Sequence, residues 1–490
     1  MSSLGAGVMA DAGAPARALF APEQLAAATG GRLSGAPAPI TGISIDTRTL
    51  QAGDAFFAIA GEKADGHAFV EAALAAGAAL CVVAREKAGA FAADARLLVV
   101  EDVLGALEDT GRAARARSAA GIVAVTGSVG KTTTKEALRL ALAADGQTHA
   151  SAASYNNHWG VPLSLARLPP EARYGVFEIG MNHPGEITPL VKMVRPQVAI
   201  VTTVEPVHIA QFSSIEEIAD AKAEIFDGLE AGGTAVLNLD NPLFARLAAA
   251  ARAKGVARIV TFGASEGADV RLTDVALQPF CSAAVVDVMG TSVTLKVGMP
   301  GRHIVQNMLA VLAAARLLGA DLALCALALA RLKPPPGRGV PIRLAVKGGQ
   351  ATLIDESYNA NPASMRAAID VLGRSPVGPR GRRIAVLGDM LELGEGADAH
   401  HAGLAGAIVA DRIDQVFCCG PHMHALWQAL PAERRGGYAV HATHLEPMVA
   451  AAIRGGDTVM VKGSNGSRMA PLVKSLSDRF RSGEDASLEG

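Results

Sequence analysis

The sequence has few aromatic residues, few cysteines and almost no net charge. Aromatic side chains make up 4% of the chain and the formal net charge is -2, so there is no basic surplus of the kind that holds nucleic acid or a membrane surface. The five cysteines are scattered without the spacing of a metal site, which favours reduced thiols. Met1 to Ala14 lacks the pattern of a signal peptide, and no apolar run approaches a membrane span. We therefore expect a cytoplasmic protein that acts on small molecules, without nucleic acid or membrane partners.

The most informative stretch that is present runs from Val123 to Glu136, where an apolar run breaks into a glycine turn and then into helix-forming sequence. Glycines let a backbone approach phosphate oxygens closely, and the following helix points its free N–H groups at the anion. Lys131 can then reach terminal phosphates, and Thr132 can meet a phosphate-bound magnesium ion. The predicted phosphate loop consists of Gly127, Ser128, Val129, Gly130, Lys131, Thr132 and Thr133.

This loop is a short variant of the usual phosphate-binding pattern. Val125 stands where G-x-x-x-x-G-K-[ST] has its first glycine, which leaves the form G-x-x-G-K-T. A strand-to-helix turn with no ligand would explain the two glycines. It does not explain a Lys-Thr pair directly after the second one.

The length of 490 residues predicts about three domains, and the alternation of strand-like and helix-like segments predicts an α/β fold class. The Arg-rich, helix-like segment Leu104–Arg117 leads into the phosphate loop, and three prolines within Lys333–Gly339 make the clearest linker. We expect a small α/β N-terminal domain over residues 1–104, a central P-loop domain with a parallel sheet over 105–333, and a Rossmann-like C-terminal domain over 334–490.

Hydrophobic periodicity predicts alternating strands and helices along these domains. The predicted strands are Ile40–Asp46, Asp54–Ala60, Ala79–Ala84, Tyr174–Ile179, Val198–Val204, Thr234–Leu239, Arg258–Phe262, short runs within Val270–Val297, Thr352–Asp355, Arg383–Leu387, Gln415–Cys418 and Thr458–Val461. One short predicted helix begins at Pro22. The other predicted helices cover His67–Ala76, Leu104–Arg117, Gly185–Val194, Ile215–Leu229, His303–Leu317 and Leu322–Leu332.

Four polar residues outside the loop are candidates for chemistry. Glu178 ends a strand of the central domain, where an acidic residue commonly helps to hold the metal. Arg48 follows a strand, as a phosphate clamp would, although turn chemistry explains most of its neighbours. His208 lies near a strand end, but a lone histidine is often only a satisfied structural residue. Lys222 is predicted from the pattern alone to be an exposed lysine of an amphipathic helix.

Several segments together resemble the Mur ligases, the ATP-dependent amide-forming enzymes of peptidoglycan precursor synthesis. The resemblance runs from about Ile40 to about Leu476, and it rests on Thr126–Glu136, Glu178–Glu186, Lys222–Phe226, Gly301–His303 with Asn307, Asp355–Pro362 and Lys462–Met469. The last two segments are similar to the member that joins D-alanyl-D-alanine to UDP-N-acetylmuramoyl-tripeptide. The resemblance implies ATP and Mg2+ as cofactors, those two small molecules as substrates, and a monomer.

Two other functions are left open by the sequence. A sister ligase that adds a diamino acid to the dipeptide precursor shares the central domain, although we find no Asp-Asn-Pro-Arg segment of the kind expected of a diaminopimelate-adding enzyme. A P-loop ATPase that acts as a switch, and forms no new bond, is the alternative from another class.

The resemblance also implies roles for individual residues. Lys222 matches a lysine that is carbamylated in the family, and it is expected to act in catalysis with Lys131 and His208. The implied metal site consists of Thr132, Glu178, His208 and Lys222. The implied nucleotide contacts beyond the loop are Asn307, Arg338 and Asp355.

Substrate contacts are implied in three groups. The uridine diphosphate moiety would be held by Ser44, Thr47 and Arg48. The acceptor would face Tyr155, Asn156 and Asn157. The remaining substrate-binding residues, in the third domain, are Asn359, Asn361, Lys462 and Ser464.

Two positions depart from the family pattern. Ile304 stands where an asparagine commonly follows the histidine of the Gly-Arg-His motif, which removes a polar contact. Ala210 stands where the common His-Leu-Glu has its acid, so one potential metal ligand is missing.

Overall fold

Strands and helices alternate along most of the chain, and the predicted α/β fold class is confirmed. A computed structural model describes residues 18–61, 64–152, 154–206 and 211–481. The described residues form three sheets of five, nine and six strands. The chain divides into two compact units: one runs to Ala120 and includes His158–Ala172, and the other comprises Gly121–Asn157 and Arg173 onwards.

The first unit is built on the five-stranded sheet, whose strand order is β1-β5-β4-β3-β2. Strand β1 is antiparallel to β5 and the other neighbours are parallel. The helices and strands of this unit before Ala120 are α1 (Pro22–Thr29), β1 (Arg32–Ser34), β2 (Gly42–Ser44), β3 (Asp54–Phe57), α2 (Val70–Ala75), β4 (Leu80–Ala84), β5 (Leu97–Val100) and α3 (Val103–Arg117). The predicted helix over His67–Ala76 begins instead as a 3-10 turn at Gly66–Phe69, because the side chain of Asp65 accepts from the backbone of His67 and starts a tight turn.

The second unit begins with the nine-stranded sheet, in the order β14-β13-β12-β11-β10-β9-β6-β8-β7. Its elements, with one helix that belongs to the first unit (α5), are β6 (Gly121–Thr126), α4 (Lys131–Ala143), β7 (Thr148–Ala150), α5 (Gly160–Ala166), β8 (Tyr174–Glu178), α6 (Ile187–Val194), β9 (Val198–Val201), α7 (Ile215–Ala223), β10 (Thr234–Asn238), α8 (Phe244–Ala253), β11 (Arg258–Gly263), β12 (Val270–Leu277), β13 (Ser282–Val288), β14 (Thr291–Val297), α9 (Arg302–Leu317) and α10 (Leu322–Leu329). Strands β6 to β11 run parallel, and β12 to β14 form the antiparallel run expected from Val270 onwards.

The position of β6 in this sheet decides where a ligand can bind. Strand β6 pairs with β8 on one side and β9 on the other, both in parallel. The chain therefore leaves the end of β6 at the point where the strand order reverses, which is where open α/β sheets bind their ligands. Helices α4 and α9 pack over the sheet through buried residues such as Leu138, Leu142, Met308 and Leu312.

The third sheet has the order β15-β16-β20-β17-β18-β19, with β15 antiparallel to β16 and the rest parallel. Its elements are β15 (Val340–Val346), β16 (Gly349–Glu356), α11 (Pro362–Arg374), β17 (Arg383–Gly388), α12 (Ala397–Ala402), α13 (Ala405–Ala410), β18 (Gln415–Cys419), α14 (Met423–Ala429), β19 (Arg435–Ala439), α15 (Ala442–Ala452), β20 (Thr458–Lys462) and α16 (Met469–Arg479). The edge strands β15 and β19 were not predicted, because half-exposed edges lack the continuous apolar run of a buried parallel strand. Within the described ranges no helix is long and apolar enough to cross a membrane.

Candidate active site

The phosphate loop joins β6 to α4, as the sequence predicts. Gly127 has φ +148° and Gly130 has φ +86°, conformations that side chains other than glycine rarely adopt. A Cβ atom at Gly127 would overlap the hydroxyl of Thr202, and one at Gly130 would lie 2.8 Å from Nδ2 of Asn307. Both glycines are therefore required by close packing as well as by backbone conformation.

Hydrogen bonds attach this loop to the end of β9. The backbone N–H of Ser128 donates to the carbonyl of Thr203 over 2.9 Å, and the Ser128 hydroxyl donates to the carbonyl of Glu205 over 2.9 Å. The hydroxyl of Thr202 donates to the carbonyl of Val129 over 2.6 Å. The loop is thus held in place before any ligand binds, which lowers the ordering cost of binding.

Lys131, the first residue of α4, folds back over the loop. Its Nζ donates to the carbonyl oxygen of Gly127 over 2.6 Å, which leaves two of its three donors for an anion. Burial lowers the pKa of Lys131, the nearby Glu178 opposes this effect, and the positive charge of Arg338 adds to it. A phosphate group bound here would supply the negative charge that this lysine needs.

Glu178, at the end of β8, is an acidic residue that contacts the phosphate loop. Its Oε1 accepts from the hydroxyl of Thr132 over 3.2 Å and from Nδ2 of Asn156 over 2.8 Å. Its Oε2 is buried and has no hydrogen-bond partner in the described structure. Arg338 donates from Nη2 to the same Thr132 hydroxyl over 3.1 Å. The structure therefore brings together four residues that the sequence assigns to metal, nucleotide and acceptor.

The unpartnered Glu178 oxygen fits a magnesium ion. A buried carboxylate oxygen is costly without a partner, and Mg2+ binds proteins through one or two carboxylates while it keeps several waters. The hydroxyl of Thr132 lies beside it, as the family resemblance implies. Within the described ranges, this site included, no three His, Cys, Asp or Glu side chains form a group that could hold a metal, and the predicted ligand His208 lies outside the described residues.

Lys222 is buried, which makes the exposed position predicted from its pattern wrong. It lies in the last turn of α7 and is only 3% exposed. The pattern misled because α7 buries a wide face, which includes Ile218 and Ala219 as well as Lys222. Burial lowers the pKa of Lys222 well below its usual value, and repulsion from Lys131 lowers it further. Both effects favour the neutral amine over the ammonium ion.

Asn307, in α9, lies against Gly130 and is half-buried. It is therefore at the phosphate loop, as the predicted nucleotide contact requires. Asp355, the other predicted nucleotide residue, uses Oδ1 to accept from the backbone and hydroxyl of Ser357 over 3.0 Å and 2.6 Å. These two bonds shape a turn just after β16. Both are accepted by Oδ1, so neither of them uses Oδ2.

The predicted third-domain substrate residues gather at the carboxyl ends of β16 and β20. Lys462 is 3% exposed, and its Nζ lies 3.2 Å from Oε2 of Glu356 and 3.0 Å from the carbonyl of Asn359. The Ser464 hydroxyl donates to the carbonyl of Ala360 over 3.2 Å. Asn361 caps α11 by accepting from the backbone of Ser364 over 2.9 Å, so part of its polar capacity is used by the fold.

The predicted acceptor residues follow β7. Asn156 reaches Glu178, and its backbone carbonyl accepts from Gly180 over 2.8 Å. Tyr155 and Asn157 are exposed beside it. These positions are close to the phosphate loop in the same unit.

The predicted uridine residues lie in the first unit and form a tight turn after β2. The Ser44 hydroxyl donates to the carbonyl of Asp46 over 3.0 Å, and Asp46 accepts from the backbone and side chain of Arg48. Thr47 lies between them, half-buried. The guanidinium of Arg48 is exposed and paired with Asp46 at 2.7 Å, so an incoming anion would compete with that carboxylate.

Two residues of this region were not predicted from the sequence. Thr202 fills the space above Gly127, and Tyr358 stacks on Arg338 with 4.0 Å between the guanidinium carbon and the ring centroid. Thr202 belongs to no motif that names a function. Tyr358 lies within Asp355–Pro362, a segment that carries the family resemblance, but the resemblance gave it no role of its own.

Comparison with known proteins gives consistent matches along the chain. Family models match as the Mur ligase family catalytic domain over residues 39–127, the Mur ligase middle domain over 125–315 and the Mur ligase glutamate ligase domain over 342–465. The UDP-N-acetylmuramoyl-tripeptide–D-alanyl-D-alanine ligase of Escherichia coli K12 is 35% identical over 93% of this chain and 98% of its own length.

Two solved structures show the same likeness in three dimensions. A crystal structure of MurF from Acinetobacter baumannii has a TM-score of 0.79 and 30% identity, and covers 93% of this chain and 98% of its own. The MurF ligase of Thermotoga maritima, solved in complex with ADP, has a TM-score of 0.72 and 27% identity, and covers 89% of this chain and 98% of its own.

Proposed function

The chain belongs to the Mur ligase family of ATP-dependent ligases, and from that premise we propose that it joins D-alanyl-D-alanine to UDP-N-acetylmuramoyl-tripeptide. The observation that carries the proposal is the similarity to the E. coli ligase along nearly the whole chain, including the third domain. Family members that share the central domain differ in their third domain. The similarity therefore favours this reaction over the diamino-acid-adding sister ligase and over a switch that forms no bond.

The site supports a mechanism through an acyl phosphate. The terminal carboxylate oxygen of the tripeptide attacks the γ-phosphorus of ATP, the bond to ADP breaks, and ADP leaves. The amine of D-alanyl-D-alanine then attacks the acyl carbon, phosphate leaves, and the amine loses a proton as the amide forms. Lys131 and the N–H groups of the phosphate loop face the charge that develops on the phosphoryl oxygens. No nucleophilic side chain is needed, since positioning and electrostatics supply the catalysis.

Magnesium belongs to this proposal as the cation that neutralises charge on the transferring phosphoryl group. Thr132 and Glu178 would hold it, supported by the buried Glu178 oxygen that has no partner. His208 and Lys222 complete the proposed metal-binding and catalytic set. Their roles rest on the family resemblance.

Lys222 is proposed to react with carbon dioxide. Its neutral amine adds to CO2, a carbon–nitrogen bond forms and a proton is released, so that the buried amine becomes a carbamate anion. The lowered pKa supports this step, because only the unprotonated amine is a nucleophile. A carbamate anion there would also attract the positive charge of Lys131.

Replacing Lys222 with methionine is expected to lower phosphate release at least ~100-fold and to raise the unfolding temperature in bicarbonate-free buffer at neutral pH. The native pKa of Lys222 lies below the 10.5 of an ordinary lysine. Between those two values the unfolded chain binds more protons than the native chain, so the stability of the unmodified protein rises with pH. The advantage of the variant should therefore shrink as the pH approaches 10.5. Scanning calorimetry across this range measures it.

The control for this variant is Lys192→Met, at an exposed position of α6, which should change neither quantity. A Lys222→Met protein less stable than the parent at neutral pH would contradict the burial argument. If 13C-labelled bicarbonate gave no carbamate signal in the parent protein, the proposed modification would be wrong.

The remaining assignments are proposed in the same terms. Asn307, Arg338 and Asp355 contact the nucleotide, and the acceptor peptide faces Tyr155–Asn157. The third domain binds the dipeptide, and the first unit binds the uridine nucleotide. The residues concerned are Asn359, Asn361, Lys462 and Ser464 in the third domain and Ser44, Thr47 and Arg48 in the first unit.

We also propose that the domains span residues 1–104, 105–333 and 334–490, and that the protein is a monomer in the cytoplasm. The five cysteines support a reducing compartment, because none of them is paired.

The test of the proposed function is phosphate release from ATP and magnesium with UDP-N-acetylmuramoyl-tripeptide, in the presence and absence of D-alanyl-D-alanine. We expect release to need both substrates and mass spectrometry to find the joined product. Release with a diamino acid and the shorter precursor would assign the sister reaction instead. Release indifferent to any amine would favour the switch.

A further inference from the structure

Tyr358 lies between two residues that come from different parts of the second unit. On one side its ring faces the guanidinium of Arg338 at 4.0 Å. On the other its hydroxyl donates to the hydroxyl oxygen of Ser154 over 3.1 Å. Ser154 begins the stretch that leads into the acceptor-facing residues Tyr155–Asn157. Tyr358 is thus the contact between that stretch and the linker arginine.

These contacts close into a ring around the phosphate loop. Arg338 donates to the Thr132 hydroxyl, which donates to Glu178. Glu178 also accepts from Asn156, two residues after Ser154. The ring closes through Tyr358, which contacts Arg338 on one side and Ser154 on the other. The ring therefore links the linker arginine, the predicted magnesium carboxylate and the acceptor-facing stretch.

The backbone fixes Tyr358 relative to the linker. The N–H of Tyr358 donates to the carbonyl of Gly337 over 3.1 Å, and the N–H of Gly339 donates to the carbonyl of Asp355 over 2.7 Å. Gly337 has φ +71° and packs so closely that a Cβ there would lie 3.0 Å from Cβ of Tyr358. The linker turn is therefore tied to the Tyr358 segment through its backbone. Among the described residues, the tyrosine hydroxyl is joined to the acceptor side by its bond to Ser154.

We propose that Tyr358 is a positioning residue that acts through Arg338, and that its bond to Ser154 couples the acceptor-facing stretch to the placement of the Arg338 guanidinium at the phosphate loop. The proposal rests on the proposed function for the identity of the two ligands. A guanidinium stacked on an aromatic face loses rotational freedom without losing its donors. The hydroxyl bond then makes the arrangement of one site depend on that of the other.

The positioning role of Tyr358 can be distinguished from a contribution to the stability of the fold. Tyr358 is 43% exposed, and its hydroxyl bond lies at the surface, so removing the hydroxyl should leave the free energy of unfolding nearly unchanged. What changes is the alignment of Arg338 with the nucleotide and of the Ser154 stretch with the acceptor. The effect should therefore be seen in binding of both ligands.

The experiment uses Tyr358→Phe, Ser154→Ala and the double variant of the full chain. We expect each single variant to raise KM roughly fivefold for ATP and for UDP-N-acetylmuramoyl-tripeptide, with kcat within about twofold. The double variant should match the singles, because both changes break the same bond. Tyr358→Leu, which also removes the stacking, should raise KM for ATP further. Tyr438→Phe, in strand β19, is the matched control and should leave both KM values unchanged.

Three outcomes would overturn the proposal: an unchanged Tyr358→Phe enzyme, a rise in only one of the two KM values, or effects of the two single variants that multiply in the double. Titration calorimetry with ATP alone keeps the test separate from the proposed function. It should show weaker nucleotide binding in Tyr358→Leu whether or not the parent protein joins the two substrates. Equal affinity in Tyr358→Leu and the parent would also overturn the proposal.

Discussion

Replacing Lys131 with methionine is expected to lower ATP-dependent phosphate release ~1,000-fold or more, the range seen when a cation is removed from a phosphoryl-transfer site. The lysine folds back onto Gly127 with two donors left, and in the free enzyme its charge is disfavoured by burial and by Arg338. Bound phosphates relieve that cost and receive a fixed positive charge. Methionine fills the same space but provides neither the charge nor the donors.

The measurement is single-turnover phosphate release, with nucleotide affinity determined separately by titration. Lys296→Met is the matched control, because Lys296 is exposed on β14. This variant should change neither the rate of phosphate release nor the nucleotide affinity. If Lys131 acts on the transferring phosphate, as we propose, the loss in the rate of release should be larger than the loss in affinity. A Lys131→Met protein that kept a tenth of the parent rate would show that the loop does not carry the chemistry.

The phosphate loop could be predicted from sequence because its determinants are local. Gly127, Gly130 and the Lys-Thr pair lie within six residues of one another, and each is required by its own backbone or side-chain chemistry. Val125 replaces the usual first glycine without harm to the loop, since it is still a strand residue. It is fully buried in β6 and pairs with Glu178 on one side and Ile200 on the other.

The burial of Lys222 could not be predicted, because it depends on residues far away in sequence. Lys222 and Glu224 fit the pattern of an exposed helix. In the structure Glu224 instead accepts from the backbone of Gly185 and Thr188, which holds α7 against the start of α6. That contact joins residues 36 positions apart in sequence and is not visible in the local pattern. Only the family resemblance had pointed to a special role for Lys222.

Asn361 and Tyr358 illustrate the same limit in the third domain. The family resemblance implies that Asn361 binds substrate, and the structure shows that Asn361 also caps α11 with Pro362 in its first turn. Tyr358 is only one position of a motif in the sequence, yet it contacts both Arg338 and Ser154. A residue's partners across the fold are set by strand order and loop geometry, which no local pattern encodes.

Replacing Glu178 with glutamine is the second change with a large expected effect. Glutamine keeps the shape and retains an oxygen that can accept from Thr132 and Asn156, as Oε1 of Glu178 does. It removes the negative charge and turns the buried, unpartnered oxygen into an amide nitrogen, which cannot bind a cation. We therefore expect phosphate release to fall ~100-fold or more at moderate magnesium concentration.

Magnesium dependence distinguishes a metal ligand from a structural carboxylate. If Glu178 holds the ion, the magnesium concentration for half-maximal release should rise at least ~10-fold in Glu178→Gln, since a charged oxygen ligand is lost. High magnesium should then restore part of the rate. Glu433→Gln, at an exposed turn before β19, should leave the dependence unchanged. A uniformly slower Glu178→Gln enzyme with the parent's magnesium dependence would assign the carboxylate to orienting Thr132 and Asn156 rather than to metal binding.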